Sequence, residues 1–228
     1  MKSEPTPYEH RFLGVLDELR DCHAIELHHE SQGQLNEALG EAGEAFRGFT
    51  DVEGITLDAS LHQCFMRFTE CSAYWTFEDG DQYLSGEFQL VELLNALMGP
   101  PPDLAWEGST DDERRLYSEF RVVDDQPWIA GGTLTAMRIT SRVRNPEMWF
   151  YKGSLGARRL DVDYRGYLDA LLLTKGVFGW QYLFADVSFA EYAFSAVGES
   201  LREALGVLPG LFPDHDYTAL TDRLAQRL

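Results

Sequence analysis

Positive charge is scarce in this 228-residue sequence, in which 19 lysines and arginines face 38 aspartates and glutamates and the formal net charge is −19. A chain this acidic is repelled by phosphate backbones and by anionic lipid surfaces, so its composition argues against nucleic-acid and membrane partners. The same field attracts a basic protein, which we expect as the partner. The other explanation is an acidic surface that only keeps the protein soluble.

Uninterrupted apolar runs are also missing. The apolar segment 163–186 is broken by Asp169, Lys175 and Gln181, and a membrane span needs roughly 18 uninterrupted apolar residues. The opening MKSEPTPYEH lacks a basic start followed by an apolar run, which predicts a cytoplasmic protein. The three cysteines then fit reduced thiols better than a disulfide framework.

Catalytic and cofactor motifs are largely lacking. The sequence contains no GxxxxGK, GxGxxG, HExxH or GxSxG pattern. If CHAIELHHE is helical, His23, Glu26 and Glu30 share a face at a spacing that suits a transition metal. An exposed helix face of mixed charge explains the same pattern without a metal. We therefore predict a non-enzymatic protein with no metal or other cofactor.

The hydrophobic spacing predicts an α+β fold, in which a mostly antiparallel sheet is flanked by helices. Residues 8–49 have apolar positions at helical spacing and are predicted as helices separated by a turn at HHESQGQ. Alternation at 73–77 and 83–90 predicts a hairpin around EDGDQ, and further short strands are expected within 119–162. The predicted parts are an N-terminal helical extension (1–49), an α+β core (50–186) and C-terminal helices of the same domain (187–228).

Capping residues mark the start of two predicted helices. In TDDE, Thr110 can cap a helix while Glu113 reaches back to it. In DYRGYLDALLL, Asp163 caps an apolar helix. The aromatic residues that follow, with Trp180 and Phe184 among them, are expected to attach the C-terminal helices to the domain.

Acidic segments with neighbouring tryptophans are the predicted contacts with a basic partner, since acids steer such a partner and aromatic side chains anchor it. The candidate contact residues are Glu78, Asp79, Asp81, Trp106, Asp111, Asp112, Asp124, Asp125 and Trp128.

Arginines gather in the predicted β-rich part of the chain and suggest a different function. If several of them project from one sheet face, they could bind an anion or a small ligand, as in an enzyme or a ligand-binding protein. The candidates for this site are Arg138, Arg142, Arg158 and Trp180. Pairing of these arginines with acids inside the protein is the other interpretation.

The order of several segments resembles the SUKH superfamily. These segments, which cover roughly residues 50–175, are GITLDASLHQCFMRF, SAYWTF, GEFQLVEL, FRVVDDQPWIAGGTLTAMRI, PEMWFY and LDVDYRGYLDALL. The resemblance implies a non-catalytic α+β domain, and many bacterial members are immunity proteins that neutralise a toxin, often a nuclease. Others are thought to be protein-interaction modules, so a regulatory scaffold is a further alternative. The residues before 50 and after 186 depart from the shorter members.

Overall fold

The centre of the fold is a seven-stranded antiparallel sheet whose strand order follows the chain. The structure, a computed structural model, describes residues 4–129, 131–140 and 144–228. The strands are β1 (Ile25–Gln32), β2 (Glu70–Asp79), β3 (Gln82–Val91), β4 (Phe120–Gln126), β5 (Thr133–Arg138), β6 (Glu147–Lys152) and β7 (Gly156–Arg159). The helices are α1 (Pro7–Asp21), α2 (Ala42–Glu53), α3 (Leu93–Met98), α4 (Asp111–Ser118), α5 (Tyr164–Thr174), α6 (Tyr192–Leu211) and α7 (Thr218–Arg227).

The predicted α+β class is confirmed, because helices flank a sheet in which every strand pair is antiparallel. The predicted hairpin is β2 and β3, which turn at Gly80 and Asp81. The capping box of α4 is present, since the Thr110 side chain accepts from the Glu113 N–H and the Glu113 carboxylate accepts from the Thr110 N–H. These features depend on neighbouring residues, which is why the sequence predicts them.

The prediction for residues 25–32, a helix that ends in a turn at HHESQGQ, is wrong. These residues form β1, which pairs with β2 from Ile25 opposite Phe77 to Gln32 opposite Cys71. A β-bulge between Leu27 and His29 interrupts the alternation that would have marked a strand. The N-terminal part is therefore not a purely helical extension, because it supplies an edge strand of the sheet.

One face of the sheet, the inner face, is buried along its length. Side chains of α1, α5 and α6 pack there against the inward residues of the strands, in a single hydrophobic cluster that includes Phe12, Trp75 and Leu201. The segment Trp180–Phe184 is a fully buried 3₁₀ turn in the same cluster. Phe184 lies under the guanidinium of Arg223 in α7, at 4.4 Å, so this segment does attach the C-terminal helices.

The opposite, outer face is covered differently on its two halves. Over β4 to β7, α4 and the loop before it bury a second cluster around Tyr117, Phe120 and Leu134. Over β1 to β3 that cluster contributes no residue, and α1 and α6, the helices in closest contact with these strands, lie on the inner face. Of the outward side chains of β1 to β3, Ser72, Thr76, Ser85 and Glu87 are buried, while Glu26, His28, Glu78 and Tyr83 are exposed and can be reached by a partner.

Candidate protein-binding face

The outward side chains of β1 to β3, together with the loop that follows β4, make a polar and aromatic surface that we call the open face. It consists of Glu26, His28, His29, Glu70, Ser72, Tyr74, Thr76, Glu78, Tyr83, Ser85, Glu87, Gln89 and Trp128.

The β1 bulge places two consecutive histidines on this face. His28 Nε2 lies 2.7 Å from Thr76 Oγ1, and His29 Nε2 lies 3.1 Å from Ser72 Oγ. Thr76 and Ser72 both point outward from β2. Residues i and i+1 of a regular strand point to opposite faces, so the extra residue of the bulge is what brings both imidazoles to one side.

Four rings make up the aromatic part of the open face. The Trp128 ring lies 4.4 Å from the His29 ring. It is parallel to the Tyr74 ring within 3°, with the two centroids 6.3 Å apart. The His28 ring completes the group at 4.8 Å from Tyr74. Trp128 retains 40% of its surface exposed, so this group can be contacted from solvent.

The loop that carries Trp128 is held by a buried carboxylate. The backbone N–H groups of Trp128 and Ile129 donate to the two carboxylate oxygens of Glu87, at 2.6 and 2.7 Å. Burial raises the pKa of Glu87, although these two hydrogen bonds oppose the rise and nearby Asp125 adds to it. Both oxygens of the buried Glu87 carboxylate therefore serve to hold the backbone of the loop at Trp128.

The charge of the three strands has one sign. The strands contain two histidines, two tyrosines and the buried thiol of Cys71. All their other ionisable residues are acids, namely Glu26, Glu30, Glu70, Glu78, Asp79 and Glu87. Glu30 is paired with Arg20 of α1, while Glu26 and Glu78 are exposed on the open face. The open face is acidic, and its strands supply no lysine or arginine to offset the charge.

Ser72 and His29 lie at the distance of a nucleophile and its base, but their network has a different order. In a catalytic triad the carboxylate orients the imidazole and the imidazole accepts the proton of the serine. Here the Ser72 hydroxyl donates to Glu70 Oε1 at 2.6 Å, and Ser72 is fully buried. This network orients His29 and does not present Ser72 to a substrate.

The predicted contact residues fall into separate places. Glu78, Asp79 and Asp81 are exposed at the tip of the β2–β3 hairpin, and Trp128 lies on the open face. The half-buried Asp125 is on the outer side of β4. A second group belongs to the covered half of the sheet, at and before the first turn of α4, and consists of Trp106, Asp111 and Asp112.

The prediction of Asp124 as a contact residue is wrong. Asp124 is 1% exposed and lies on the inner face, where it accepts hydrogen bonds from the Tyr167 hydroxyl at 2.6 Å and the Gln89 N–H at 2.8 Å. Asp124 and Asp125 are consecutive on a strand, so their side chains point to opposite faces. The sequence VVDD does not show which of the two faces inward.

The alternative ligand site is not brought together as predicted. Arg138 is paired with Glu119 at 2.6 Å and Glu147 at 3.3 Å, and the Arg158 guanidinium lies over the Phe194 ring. Trp180 is 0% exposed, so its assignment to a ligand surface is wrong. Arg142 lies outside the described residues.

A surface pocket of about 780 Å³ lies close to these arginines but is lined by other residues. The charged residues of its lining are Glu147, Arg159, Asp161, Asp163, Asp186 and Arg227. Most of these charges are satisfied by one another or by neighbours, since Arg159 pairs with Glu147 and Arg227 pairs with Asp161. The pocket therefore does not present a free cationic site for an anion.

The helical spacing that suggested a metal site does not exist. Glu26 and Glu30 lie on β1, and His23 precedes the strand in a turn. Within the described ranges, no group of three histidine, cysteine or acidic side chains is arranged to hold a metal ion. Sequence reasoning missed His28 and His29 because it placed them in a turn after a helix, and the β-bulge between Leu27 and His29 interrupts the alternation that would have revealed a strand.

No family model, curated protein or solved structure matches this chain. Among the described residues, no helix has the length and apolar character needed to cross a membrane.

Proposed function

We propose that this protein is a non-enzymatic binding domain that holds a basic protein partner on the open face and the adjoining hairpin tip. The observation that carries the proposal is the exposed layer of the open face, where the Trp128 and His28 rings lie among carboxylates and the strands contain no lysine or arginine. A protein interface needs aromatic anchors surrounded by polar groups, and the open face offers both.

The resemblance to the SUKH superfamily supports a particular class of partner. We propose that the partner is a toxin, with a nuclease as the first choice because its nucleic-acid groove is positively charged. An acidic domain could neutralise such a toxin by covering that groove. A cytoplasmic location belongs to the same proposal and is supported by the free thiols of Cys22, Cys64 and Cys71.

The proposal is tested by capture followed by titration. The immobilised protein is exposed to a lysate of its source, and each retained basic protein is purified and titrated against it by calorimetry. We expect one basic protein to bind with a defined stoichiometry and to bind more weakly as salt rises from about 50 to 300 mM. A partner whose affinity is insensitive to salt would instead favour the scaffold alternative.

Two variants with equal charge locate the interface. Glu78→Gln, Asp79→Asn and Asp81→Asn together remove the hairpin acids. The matched control neutralises exposed acids on the C-terminal part of the chain, Glu199→Gln, Asp214→Asn and Asp222→Asn. Both variants lose the same net charge, so a larger loss of affinity in the hairpin variant supports the proposal. An equal loss in the two variants contradicts a local interface.

A further inference from the structure

Trp128 has the features of an interface anchor before any partner is bound. Its ring rests against His29 and lies parallel to Tyr74, and its backbone N–H is fixed by Glu87. A side chain that is already held in place loses little conformational freedom on binding, so more of the contact energy appears as affinity. The other highly exposed tryptophan, Trp106, is 71% exposed and lies in the loop before α4.

The surroundings of this ring select a cation. The faces of tryptophan and tyrosine rings carry negative potential and attract ammonium and guanidinium groups. Carboxylates add to this attraction, with Glu26 at 3.6 Å from His28 Nδ1 and Glu70 joined to His29 through Ser72. The ring group therefore lies beside two imidazoles, each of which is linked to a carboxylate.

Arginine fits this group better than lysine. A guanidinium is planar, stacks on an aromatic ring and still directs N–H donors sideways to carboxylates and hydroxyls. An ammonium group is a compact, strongly hydrated charge without a stacking face. The parallel rings of Trp128 and Tyr74, with hydrogen-bond acceptors beside them, match the planar guanidinium.

We infer that Trp128 and Tyr74 form the anchor point for an arginine side chain of the basic partner. This inference rests on the proposed function and specifies its chemistry. It makes Trp128 the residue whose loss weakens binding most, with the hairpin acids acting through their charge.

The test uses short cationic peptides as probes. Acetylated hexa-arginine amide and hexa-lysine amide are titrated at about 50 mM salt into protein labelled with ¹⁵N at the tryptophan indoles, and the indole N–H signals are followed by NMR. We expect the Trp128 signal to move most and hexa-arginine to bind more tightly than hexa-lysine. Trp128→Leu should weaken hexa-arginine binding about fivefold, the factor expected of one partly exposed cation–aromatic contact.

Matched variants separate the anchor from general attraction. Trp106→Leu removes an exposed ring elsewhere and should leave the affinity within about twofold of the wild type. Trp128→Phe keeps a ring and should recover most of the affinity. Thermal unfolding of each variant shows whether the fold is retained. If Trp128→Leu is unstable, the movement of the Trp128 signal in the wild-type protein still decides the question.

The failures of the inference and of the proposed function have different signatures. Equal affinities of Trp128→Leu and Trp106→Leu, together with a loss in the hairpin variant, overturn the arginine anchor and leave the acidic interface intact. Hexa-arginine that binds no better than hexa-glutamate contradicts the proposed function itself. An unmoved Trp128 signal while Trp106 moves also overturns the anchor.

Discussion

The hydroxyl of Tyr167 donates a 2.6 Å hydrogen bond to the carboxylate of Asp124, and both side chains lie in the core, at 0% and 1% exposure. The same hydroxyl lies 2.9 Å from Thr135 Oγ1. Burial raises the pKa of Asp124 to about 7, although the hydrogen bonds from Tyr167 and Gln89 oppose the rise. A carboxyl group with this pKa makes stability depend on pH.

We predict that Asp124 lowers the stability of the protein as pH rises from about 4 to 7. An unfolded aspartate titrates near pH 3.9, so in this window the folded chain retains a proton that the unfolded chain has released. The contribution to the free energy of unfolding is therefore largest below about pH 4 and falls by up to about 1.4 kcal/mol per pH unit until about pH 7.

Urea unfolding of wild type and Asp124→Asn at pH 5, 6, 7 and 8 measures this effect. The amide can accept from Gln89 and donate to Tyr167, so the variant should gain stability relative to the wild type as pH rises. Asp125→Asn makes the same charge change one residue along the strand and serves as the control. A difference between Asp124→Asn and wild type that is constant over this range would contradict the prediction.

Local patterns predicted much of this fold. The caps at Thr110 and Asp163 and the β2–β3 hairpin depend on residues within a few positions of one another, and the structure has all three. The strand at 25–32 depends on pairing with residues that lie far along the chain, from Ile25 with Phe77 to Gln32 with Cys71, and its bulge hides the alternation. The hydrophobic periodicity of a short segment does not show which distant strand it pairs with.

The candidate site was also predicted only in part, because local patterns show some of its residues and tertiary contacts determine the others. Trp128 and the hairpin acids could be named because they lie beside turns and carry charge or a large ring. The role of Glu87 could not be predicted, since a lone glutamate in a strand usually faces solvent. The loop after β4 folds back over β3, and only this tertiary contact turns Glu87 into a buried acceptor.

The buried ion pair of Glu9 and Arg67 gives a second prediction. Glu9 accepts three hydrogen bonds from Arg67 at 2.7, 3.1 and 2.8 Å and one from the Thr6 N–H at 2.7 Å. Burial alone would raise the pKa of Glu9, but these hydrogen bonds outweigh it and lower the pKa. The pair therefore contributes stability above the unfolded pKa of about 4.3, and this contribution is lost as pH falls below that value.

Arg67→Met should destabilise the protein by about 3–5 kcal/mol at pH 7, because it leaves the Glu9 carboxylate buried without its cation. The loss should shrink toward pH 4, where Glu9 can take up a proton. Denaturant unfolding at both pH values tests this. Arg115→Met breaks an exposed pair with Asp112 and should change stability little. An equal effect of the two substitutions would show that burial does not govern the Glu9 pair.

Gly86 gives a third prediction, since the Trp75 indole packs directly over its Cα. The two residues are paired across β2 and β3, and a Cβ on Gly86 would overlap the indole ring. Trp75 cannot easily move, because it is fully buried and its Nε1 donates to the Lys175 carbonyl at 2.8 Å. Gly86→Ala should therefore cost about 2–3 kcal/mol of unfolding free energy.

Gly206 is the matched control for that substitution. It lies inside α6 with open space around its Cα, so alanine there should stabilise the protein by about 0.5–1 kcal/mol. Thermal unfolding of the two variants should shift in opposite directions. A Gly86→Ala variant as stable as the wild type would mean that the Trp75 ring can be displaced.

Glu87 gives the last prediction, which concerns how the loop that carries Trp128 is held. Glu87→Gln replaces one of the two carboxylate oxygens with an amide NH₂. This NH₂ is a donor, and it would face the N–H donor of Trp128 or Ile129 without forming a hydrogen bond. One buried donor then lacks a partner, and the unfolding free energy should fall by about 1–3 kcal/mol. Amide hydrogen exchange at Trp128 and Ile129 should accelerate more than exchange in the rest of the sheet, because only this loop loses its acceptor.

Glu78→Gln makes the same change of charge at an exposed position on β2 and should leave exchange at both amides unaltered. The comparison distinguishes two ways of fixing the loop. If exchange at Trp128 and Ile129 is as slow in Glu87→Gln as in the wild type, the ring contacts of Trp128 with His29 and Tyr74 hold the loop and the carboxylate does not. If exchange accelerates only in Glu87→Gln, the buried carboxylate fixes the position of the ring on the open face.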